Sequence, residues 1–494
     1  MTTLLLKNGV VLLHDSSDHI VPTLADILVK DNLIAGIERE IDAPTGTEVI
    51  DCTNKVISPG FIDCHQHVWQ TFNKGRHGDE TLMEYMPTGN LTSSQYSRED
   101  IFWGQLGGCL TLLNAGTTTV VDHAHIHYFP EASQTAVSST VSSGIRSVFC
   151  FTPTARVASL SPLVLEPNLI EPWVISSFSS LTDKAPFGPN GRVQLGLAFD
   201  GWFVPQEIAT PLFDLALKAG IKVLTSHTVG SISTLGSAVP RTLQKWGLID
   251  KFHILFSHAT ELSPEDLDTI LKHGGRVVST PSTELQMAHG RPICFDDRVR
   301  GNACLGGDCQ SNGGISIPGE MKLGLQAERG LRNQKIIDKG LMVKTVHRTV
   351  EQAFNLGTVQ GARAIGMGDK IGSIEVGKLA DLVVFDADSP SMVCAAQNNP
   401  VDAVVLFSTP ADVSAVVIDG QVRKLDGKLK NVKVTHDMRE LSRRDVLEWK
   451  EIAKHLLKRR EIYREKIDKV DFEEVKRVLL KAWYIDESKM TDEA

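Results

Sequence analysis

The sequence lacks any run of about 18 apolar residues, the length that a membrane-spanning helix needs. Its first residues, 1–9, lack a basic region and a small-residue cleavage site, so they predict a first strand and not a secretion signal. The eight cysteines include no CxxC pair, which favours free thiols in a reducing compartment. We therefore expect a cytoplasmic protein with no membrane partner.

The sequence also lacks a strong excess of either charge. Its net charge is −9 over 494 residues, and the 60 acidic residues are spread without a long tract. This balance gives no reason to expect nucleic acid as a partner. Hydrophobic residues at 42% and charged residues at 22% are typical of a globular enzyme.

Short β-rich runs separated by turns occur at both ends of the chain. They are residues 4–6, 10–13, 27–29, 33–37 and 49–50 near the start, and 381–385, 403–407 and 415–420 later. We predict that the two sets pair into one β-sandwich, with residues 1–58 as its first part and residues 366–432 as its second.

The middle of the chain, residues 59–365, alternates predicted strands with helices. Eight strands in this order predict an α/β protein with a (β/α)₈ barrel, known as a TIM barrel. One helix has a clear start, because Ser263 is a favourable N-cap and Pro264 follows it. Residues 433–494 predict a C-terminal helical extension that begins near Ser442 and packs on the barrel or on a second subunit.

Reacting groups of a parallel barrel gather where its strands end. His65 and His67 follow the strand at Phe61–Ile62, and residues two apart on a strand share a face. Such a pair can bind a metal from one side. The alternative is two core histidines with satisfied hydrogen bonds, which the preceding Pro–Gly and buried-looking strand make less favourable.

Three further polar residues follow later strands. His227 ends strand 5, His258 ends strand 6, and Asp308 lies in the glycine-rich segment after strand 8. Each alone is more typical of a structural role, such as an Asx turn for the aspartate. Together, three histidines and one aspartate predict a nitrogen and oxygen site for Zn²⁺, with Fe²⁺ or Mn²⁺ as alternatives. Asp308 could also take a proton from the water that such a metal acidifies.

These features resemble the amidohydrolase superfamily, in particular its cytosine deaminase and triazine chlorohydrolase-like branch. The resemblance extends to about residue 430 and includes three runs: 58–63 before the HxH, 115–122 at strand 2, and 372–383 at the return to the β module. It implies that His65, His67, His227 and Asp308 are metal ligands. It also implies that His258 orients the water or the substrate, or binds a second metal.

Two departures from this branch concern the metal count and the proton transfer. Binuclear relatives carry a lysine at the end of strand 4, whereas this strand ends at Ala198 and is followed by Phe199 and Asp200, which favours one ion per chain. Asp200 could contact the site or have a structural role. Deaminases of the branch carry HxxE at strand 5, but position 230 here is Gly230. We hypothesise that Glu284 replaces the missing acid.

Five residues are candidates for substrate contact, and an aromatic plane beside a metal could stack on a ring substrate. Trp69 is the aromatic candidate, with packing beneath a loop as its alternative. The five are Trp69, Gln70, His125, Gln286 and His289.

The leading prediction is a metal-dependent hydrolase that cleaves a C–N bond in an amide, a cyclic amide or an amino-heterocycle. The alternatives are a related decarboxylase, dehalogenase or C–C cleaving enzyme, and a catalytically inactive scaffold, against which the complete His–His–His–Asp set argues. The resemblance also predicts a small-molecule substrate and a homodimer or homotetramer.

Overall fold

The computed structural model describes residues 2–230, 238–483 and 485–491. Its strands, in chain order, are β1 (Thr3–His14), β2 (Ile20–Lys30), β3 (Leu33–Glu38), β4 (Glu48–Asp51), β5 (Lys55–Pro59), β6 (Phe61–His67), β7 (Thr117–Ala124), β8 (Arg146–Phe151), β9 (Val157–Leu160), β10 (Leu163–Leu165), β11 (Val193–Ala198), β12 (Val223–Val229), β13 (His253–Thr260), β14 (Arg276–Ser279), β15 (Ala303–Leu305), β16 (Asp308–Cys309), β17 (Leu382–Asp386), β18 (Val413–Ile418), β19 (Gln421–Leu425), β20 (Lys428–Leu429), β21 (Val432–Lys433) and β22 (Val446–Leu447).

The α-helices are α1 (Leu82–Tyr85), α2 (Arg98–Asn114), α3 (Ala132–Ser143), α4 (Pro172–Thr182), α5 (Gln206–Lys218), α6 (Val239–Lys245), α7 (Pro264–Lys272), α8 (Pro281–Gln286), α9 (Ile317–Ile337), α10 (Val350–Leu356), α11 (Val359–Ala364), α12 (Ala395–Asn398), α13 (Pro400–Asp402), α14 (Arg439–Ser442), α15 (Trp449–Ile467) and α16 (Phe472–Ala482). Other helical turns are Val68–Asn73, Met86–Asn90, Leu91–Gln95, Pro189–Gly191, Asp297–Val299, Ala403–Phe407, His436–Met438 and Glu487–Lys489. Of the helices described, none is long and apolar enough to cross a membrane.

The two ends of the chain build one mainly antiparallel sheet. Its strand order is β20-β19-β18-β17-β5-β1-β2-β3, with β4 alongside β1. The two ends join where β17 pairs with β5, which places Leu382 opposite Pro59. One face of the sheet buries its own apolar cluster, including Leu6, Ile27 and Val417. The predicted composite β module is therefore confirmed.

The run 403–407, predicted as a strand of this module, is a helical turn instead. The side chain of Asn399 accepts hydrogen bonds from the backbone N–H groups of Val401 and Asp402 and so begins a helix directly before the run. Ala403, Val404 and Val405 are buried, so their apolar character reflects helix packing and not a strand.

The barrel is a closed parallel sheet in the order β15-β14-β13-β12-β11-β8-β7-β6-β16. β15 pairs with β14, whereas β16 pairs with β6 on the other side. The eighth position of the barrel is thus one strand in two pieces, separated by Gly306 and Gly307. This arrangement confirms the predicted (β/α)₈ fold, and all seven residues of β6 are buried within it.

The helix after β13 begins and ends as predicted. The hydroxyl of Ser263 accepts a hydrogen bond from the backbone N–H of Asp266 at 3.1 Å, and Pro264 is the first helical residue. Gly274 follows the helix with a φ of +69°, a conformation that glycine adopts without steric cost. The predicted signals therefore place this helix correctly between two barrel strands.

The C-terminal extension contributes two helices that pack on the barrel. The predicted start near Ser442 is too early: residues Val446–Leu447 form β22 with β21, and α15 begins at Trp449. α15 packs against α2 and the turn Val68–Asn73. The second helix, Phe472–Ala482, which we call the tail helix, packs against the turn Met86–Asn90 and against β10. The extension therefore reaches the rim of the barrel near the predicted site.

Candidate metal centre and active-site cavity

The polar side chains at the strand ends meet at one rim of the barrel. His65 and His67 lie on β6, His227 on β12, His258 on β13 and Asp308 on β16. A ligand atom from each of His65, His67, His227 and Asp308 lies within 4.8 Å of the other three. The structure therefore brings together the four residues predicted as metal ligands.

The break in the eighth strand puts Asp308 in reach of the histidines. A Cβ at Gly306 would lie 2.7 Å from the carbonyl oxygen of His65, and one at Gly307 would lie 2.4 Å from that of Gly314. Larger residues would push these backbones apart. Asp308 itself has a φ of +61°, a conformation that costs a residue with a Cβ on the order of 1–3 kcal/mol. The surrounding structure holds it there.

The carboxylate of Asp308 contacts three of the histidines. Its Oδ1 lies 3.0 Å from Nε2 of His65, 3.3 Å from Nε2 of His67 and 3.8 Å from Nε2 of His258. Its Oδ2 accepts a hydrogen bond from the hydroxyl of Thr283 at 2.8 Å. Oδ1 is therefore the atom that faces the centre, and Thr283 fixes the orientation of the carboxylate.

The hydrogen bonds of the histidines show that this donor set fits a cation. Nδ1 of His67 lies 2.8 Å from the carbonyl oxygen of His123, so it must carry the proton. Nδ1 of His227 donates to Oδ2 of Asp200 at 2.8 Å. When both rings are neutral, the Nε2 atoms of His67 and His227 carry lone pairs, and these two atoms lie only 3.2 Å apart. Two facing lone pairs repel each other unless a cation lies near them.

The pKa directions of His65 and Asp308 agree with the forms that a metal requires, whereas in His227 burial is outweighed by Asp200 and the pKa is raised. Burial holds the pKa of His65 well below its usual range, which favours the neutral imidazole. Burial alone would raise the pKa of Asp308, but hydrogen bonds to His65 and His67 hold it well below its usual range. Neutral imidazoles and an ionised carboxylate are the ligand forms of these residues.

Asp200, which follows β11, lies beside His227. Its Oδ1 accepts from the backbone N–H of His227 at 2.9 Å, and its Oδ2 lies 3.0 Å from Nε2 of His123. His123, Asp200 and His227 form a second group with ligand spacing. Because both carboxylate oxygens already accept from His227, Asp200 fits best as the residue that fixes that imidazole.

His258 and Glu284 form a layer next to the centre. Nδ1 of His258 lies 2.8 Å from the hydroxyl of Thr280 and 3.6 Å from Oε1 of Glu284. Oε1 of Glu284 accepts from the backbone N–H of Thr280 at 2.8 Å. Burial raises the pKa of Glu284 well above its usual range. Glu284 thus lies behind His258 and is not among the described residues that line the cavity.

The centre opens into a cavity of about 370 Å³, a size typical of small-molecule sites. His125 and His289, both predicted substrate contacts, line it. His289 is buried, and neither of its ring nitrogens has a hydrogen-bond partner in the described structure. Nδ1 of His125 also lacks a partner there. Both histidines therefore offer polar atoms to a ligand.

The other three predicted contacts lie behind the lining residues. Trp69 is fully buried and packs edge-on against His125, with ring centroids 5.4 Å apart. Gln70 donates a hydrogen bond to the hydroxyl of Tyr85, which does line the cavity. Gln286 donates to the carbonyl oxygen of His77 at 2.6 Å. Direct substrate contact by these three stays a prediction, and the contacts seen give them supporting positions.

The structure also gives a reason for the missing acid at position 230. A Cβ on Gly230 would lie 1.9 Å from the carbonyl oxygen of Glu261, and the N–H of Gly230 donates to the carbonyl oxygen of Thr260 at 2.8 Å. His258 and Glu261, on and just after β13, both have positive φ, 67° and 53°. The close approach of these strand ends leaves no room for a glutamate.

Sequence reasoning did not assign roles to several residues at the site. A role for His123 was not predicted, because its contact with Asp200 depends on the relative positions of two different strands. Leu479 and Trp483, at the end of the tail helix, line the cavity. The signal for the tail helix was its apolar residues at helical spacing, including Val475 and Leu479.

Comparisons with known proteins agree with this fold and site. Residues 56–423 match the model of the amidohydrolase family. A 5-methylthioadenosine/S-adenosylhomocysteine deaminase of Acetivibrio thermocellus is 27% identical over 459 residues, which cover 89% of this chain and 99% of that protein. A 5'-deoxyadenosine deaminase of Methanobrevibacter smithii is 25% identical and covers 87% of this chain and 94% of that protein.

Solved structures share the fold at low identity. An adenosine deaminase from Xanthomonas campestris with bound zinc superposes with a TM-score of 0.73 at 19% identity, covering 95% of this chain and 99% of that one. The atrazine chlorohydrolase of Arthrobacter aurescens, complexed with zinc, gives a TM-score of 0.73 at 19% identity, covering 92% and 100%.

The predicted resemblance to the deaminase and chlorohydrolase branch is confirmed by these matches. They also confirm the predicted class of enzyme, a metal-dependent hydrolase acting on carbon–nitrogen bonds other than peptide bonds. The family model spans about three quarters of the sequence and includes every predicted metal ligand. The chain belongs to the amidohydrolase family.

Proposed function

We propose that the enzyme removes an exocyclic amino group from a nitrogen heterocycle by hydrolysis, with one zinc ion at His65, His67, His227 and Asp308. The observation that carries the proposal is the convergence of these four ligand atoms within 4.8 Å at the barrel rim. Full-length similarity to proteins named as deaminases supports the substrate class. The reaction adds water across the C–N bond: carbon gains oxygen, and nitrogen leaves as ammonia.

A divalent cation in this site would supply Lewis acidity and a water acidic enough to react near neutral pH. Neutral imidazoles with one carboxylate suit zinc, and Fe²⁺ and Mn²⁺ are compatible with the same donors. We favour a single ion because Asp200 accepts hydrogen bonds from His227 through both oxygens, which leaves it as a positioning group.

Asp308 is the proposed general base. Its Oδ1 faces the centre while Thr283 holds Oδ2, so one oxygen is directed at the attacking water and can receive its proton. His258 presents Nε2 3.8 Å from the same oxygen, within reach of a group that lies between them. Thr280 and Glu284 hold the other side of its ring. We assign His258 the role of orienting the water or the substrate.

His125 and His289 are the proposed polar contacts for the substrate. Both line the cavity with ring nitrogens that have no partner in the described structure. Burial lowers the pKa of His289 to about 3, so this ring is neutral and can both donate and accept a hydrogen bond. A heterocycle with its own ring nitrogens and amino group would match such contacts.

The test is a screen of zinc-loaded protein for ammonia release from adenosine, 5'-deoxyadenosine, 5'-methylthioadenosine and guanine. We expect ammonia from at least one compound and about one zinc per chain by plasma mass spectrometry. A His65→Ala variant, which lacks one ligand, is the control and should lose both signals. Bound zinc with no ammonia from any amino-heterocycle contradicts the proposal, and two ions per chain contradict the single-metal assignment.

A related reaction at the same metal is the second candidate, because the steric block at Gly230 removes the acid that deaminases of this branch carry. Loss of halide or carbon dioxide instead of ammonia would identify it.

Three further features remain predictions. They are the division into residues 1–58, 59–365, 366–432 and 433–494, the homodimer or homotetramer, and the cytoplasmic location.

A further inference from the structure

The cavity is lined by two chemically different sets of side chains. One is the metal centre with its histidines and with Asp200 and Asp308. The other, which we call the apolar wall, consists of Met86, Leu91, Leu165, Leu479 and Trp483, all of which line the cavity and pack in one cluster. Phe203 also lines the cavity and is 61% exposed, so an apolar side chain faces solvent beside it.

The tail helix holds its part of this wall rigidly. Val475 and Leu479 are buried, 0% and 2% exposed, against residues of the Leu91–Gln95 turn and of β9 and β10. The guanidinium of Arg76 lies 5.4 Å from the centre of the Phe472 ring at the start of the helix. Lys476 pairs with Glu84 at 3.4 Å. The wall is therefore formed before any ligand binds, which lowers the entropy cost of binding.

The charges around the cavity are all at the metal centre. Among its described lining residues there is no lysine or arginine, and the two carboxylates, Asp200 and Asp308, are engaged with histidines. A ligand carboxylate or ammonium placed against the apolar wall would lose water without gaining a partner. A neutral, apolar group against the wall has no such cost.

We propose that the substrate carries no ionised group at this end and has an apolar group that packs against Leu479 of the tail helix and Trp483 directly after it. The tail helix, which lies beyond residue 423, where the family match ends, is then the specificity element of this enzyme. This inference rests on the proposed function for the reacting end of the substrate. It adds what the other end must be: uncharged and apolar.

Two nucleosides that differ at one substituent test the charge preference. Both compounds are 5'-thioethers, but the thioether of 5'-methylthioadenosine ends in a methyl group, whereas that of S-adenosylhomocysteine ends in an amino acid with an ionised ammonium and carboxylate. We expect kcat/KM, or the affinity by calorimetry where no ammonia is released, to favour 5'-methylthioadenosine by about tenfold or more. Equal values for the two, or binding of neither, would overturn the inference.

Variants of the tail helix test the position of the apolar group. Trp483→Ala should lower kcat/KM, or the affinity, for 5'-methylthioadenosine by about tenfold. The same quantity for adenosine, which lacks the thioether, should change by less than about threefold. Trp483→Phe should retain most of the kcat/KM, or affinity, for 5'-methylthioadenosine that Trp483→Ala loses. Lys481→Ala, an exposed residue of the same helix, is the matched control for folding and should behave as the parent. If Trp483→Ala and Lys481→Ala behave alike, the wall does not contact the substrate.

The outcomes separate this inference from the proposed reaction. Ammonia release with equal kcat/KM for the nucleosides with and without the charged group supports deamination and overturns the apolar wall as a specificity element. Selective binding of 5'-methylthioadenosine that depends on Trp483, without ammonia from any compound, supports the wall and contradicts deamination.

Discussion

The metal centre and the apolar wall line the same cavity, but they are built in different ways. Each ligand of the metal centre lies at the end of a barrel strand and is held by a second polar group, as Ser257 holds His65 and Thr283 holds Asp308. The wall comes from helical turns, from β10 and from the tail helix. The difference suggests that the rigid barrel carries the chemistry, whereas peripheral segments select the substrate.

The largest expected effect is at the metal centre, on replacing Asp308 with asparagine. An amide cannot take the proton from the attacking water, so kcat should fall by about 10²–10⁴-fold. Asp214→Asn, at an exposed carboxylate of α5, is the matched control. The measurement is steady-state ammonia release alongside zinc content. Activity within a fewfold of the parent would remove Asp308 from the catalytic role.

A smaller effect should follow from Asp200→Asn, which tests whether the second layer holds the centre. The amide can still accept one hydrogen bond, but it offers His227 and His123 no negative charge. Loss of such a partner typically costs about 10–100-fold in metal affinity or activity. Zinc affinity can be measured by competition with a chelator, with Glu207→Gln as the exposed control. Unchanged zinc affinity and kcat would show that His227 needs no such support.

The contrast between the two regions also explains what could be predicted from the sequence. The metal ligands could be predicted because a position at a strand end is evident from a single segment of sequence. His227, for example, follows the apolar run of β12, and the barrel then places it at the rim. The partner of His227 was harder to identify, since the bond to Asp200 depends on the register of β11 against β12. Patterns of single segments predict which residues reach the rim, but not which pairs meet there.

The apolar wall could not be derived in the same way. The tail helix contacts segments almost 400 residues earlier, as in the Lys476–Glu84 pair, and its apolar stripe fits a barrel, a partner subunit or a cavity equally well. Gly230 illustrates a second limit. The sequence alone shows that an acid is missing at this position. The reason is a carbonyl oxygen 1.9 Å from the place that a Cβ would occupy, and this contact is evident only from the folded structure.

The smallest expected effect is that of Glu284→Gln, which decides whether the second layer also transfers protons. Burial raises the pKa of Glu284, which favours its neutral carboxyl form, and glutamine can still accept from the N–H of Thr280. Since the group faces His258 from behind and not the cavity, we expect kcat within about threefold of the parent and an unchanged pH profile. A large loss with normal folding would instead support the proton-transfer role hypothesised from the sequence.

Stability gives an independent readout for the same variant. A carboxyl group whose pKa is raised by folding binds its proton more tightly in the folded state. The stability it contributes is present below the pKa of an unfolded glutamate and is lost as the pH rises towards the folded value. Glutamine has no proton to lose. The Tm of Glu284→Gln should therefore rise relative to that of the parent as the pH increases above the range in which an unfolded glutamate titrates. A constant difference would mean that the Glu284 carboxyl is already ionised beside His258, and the proton-transfer role would then regain support.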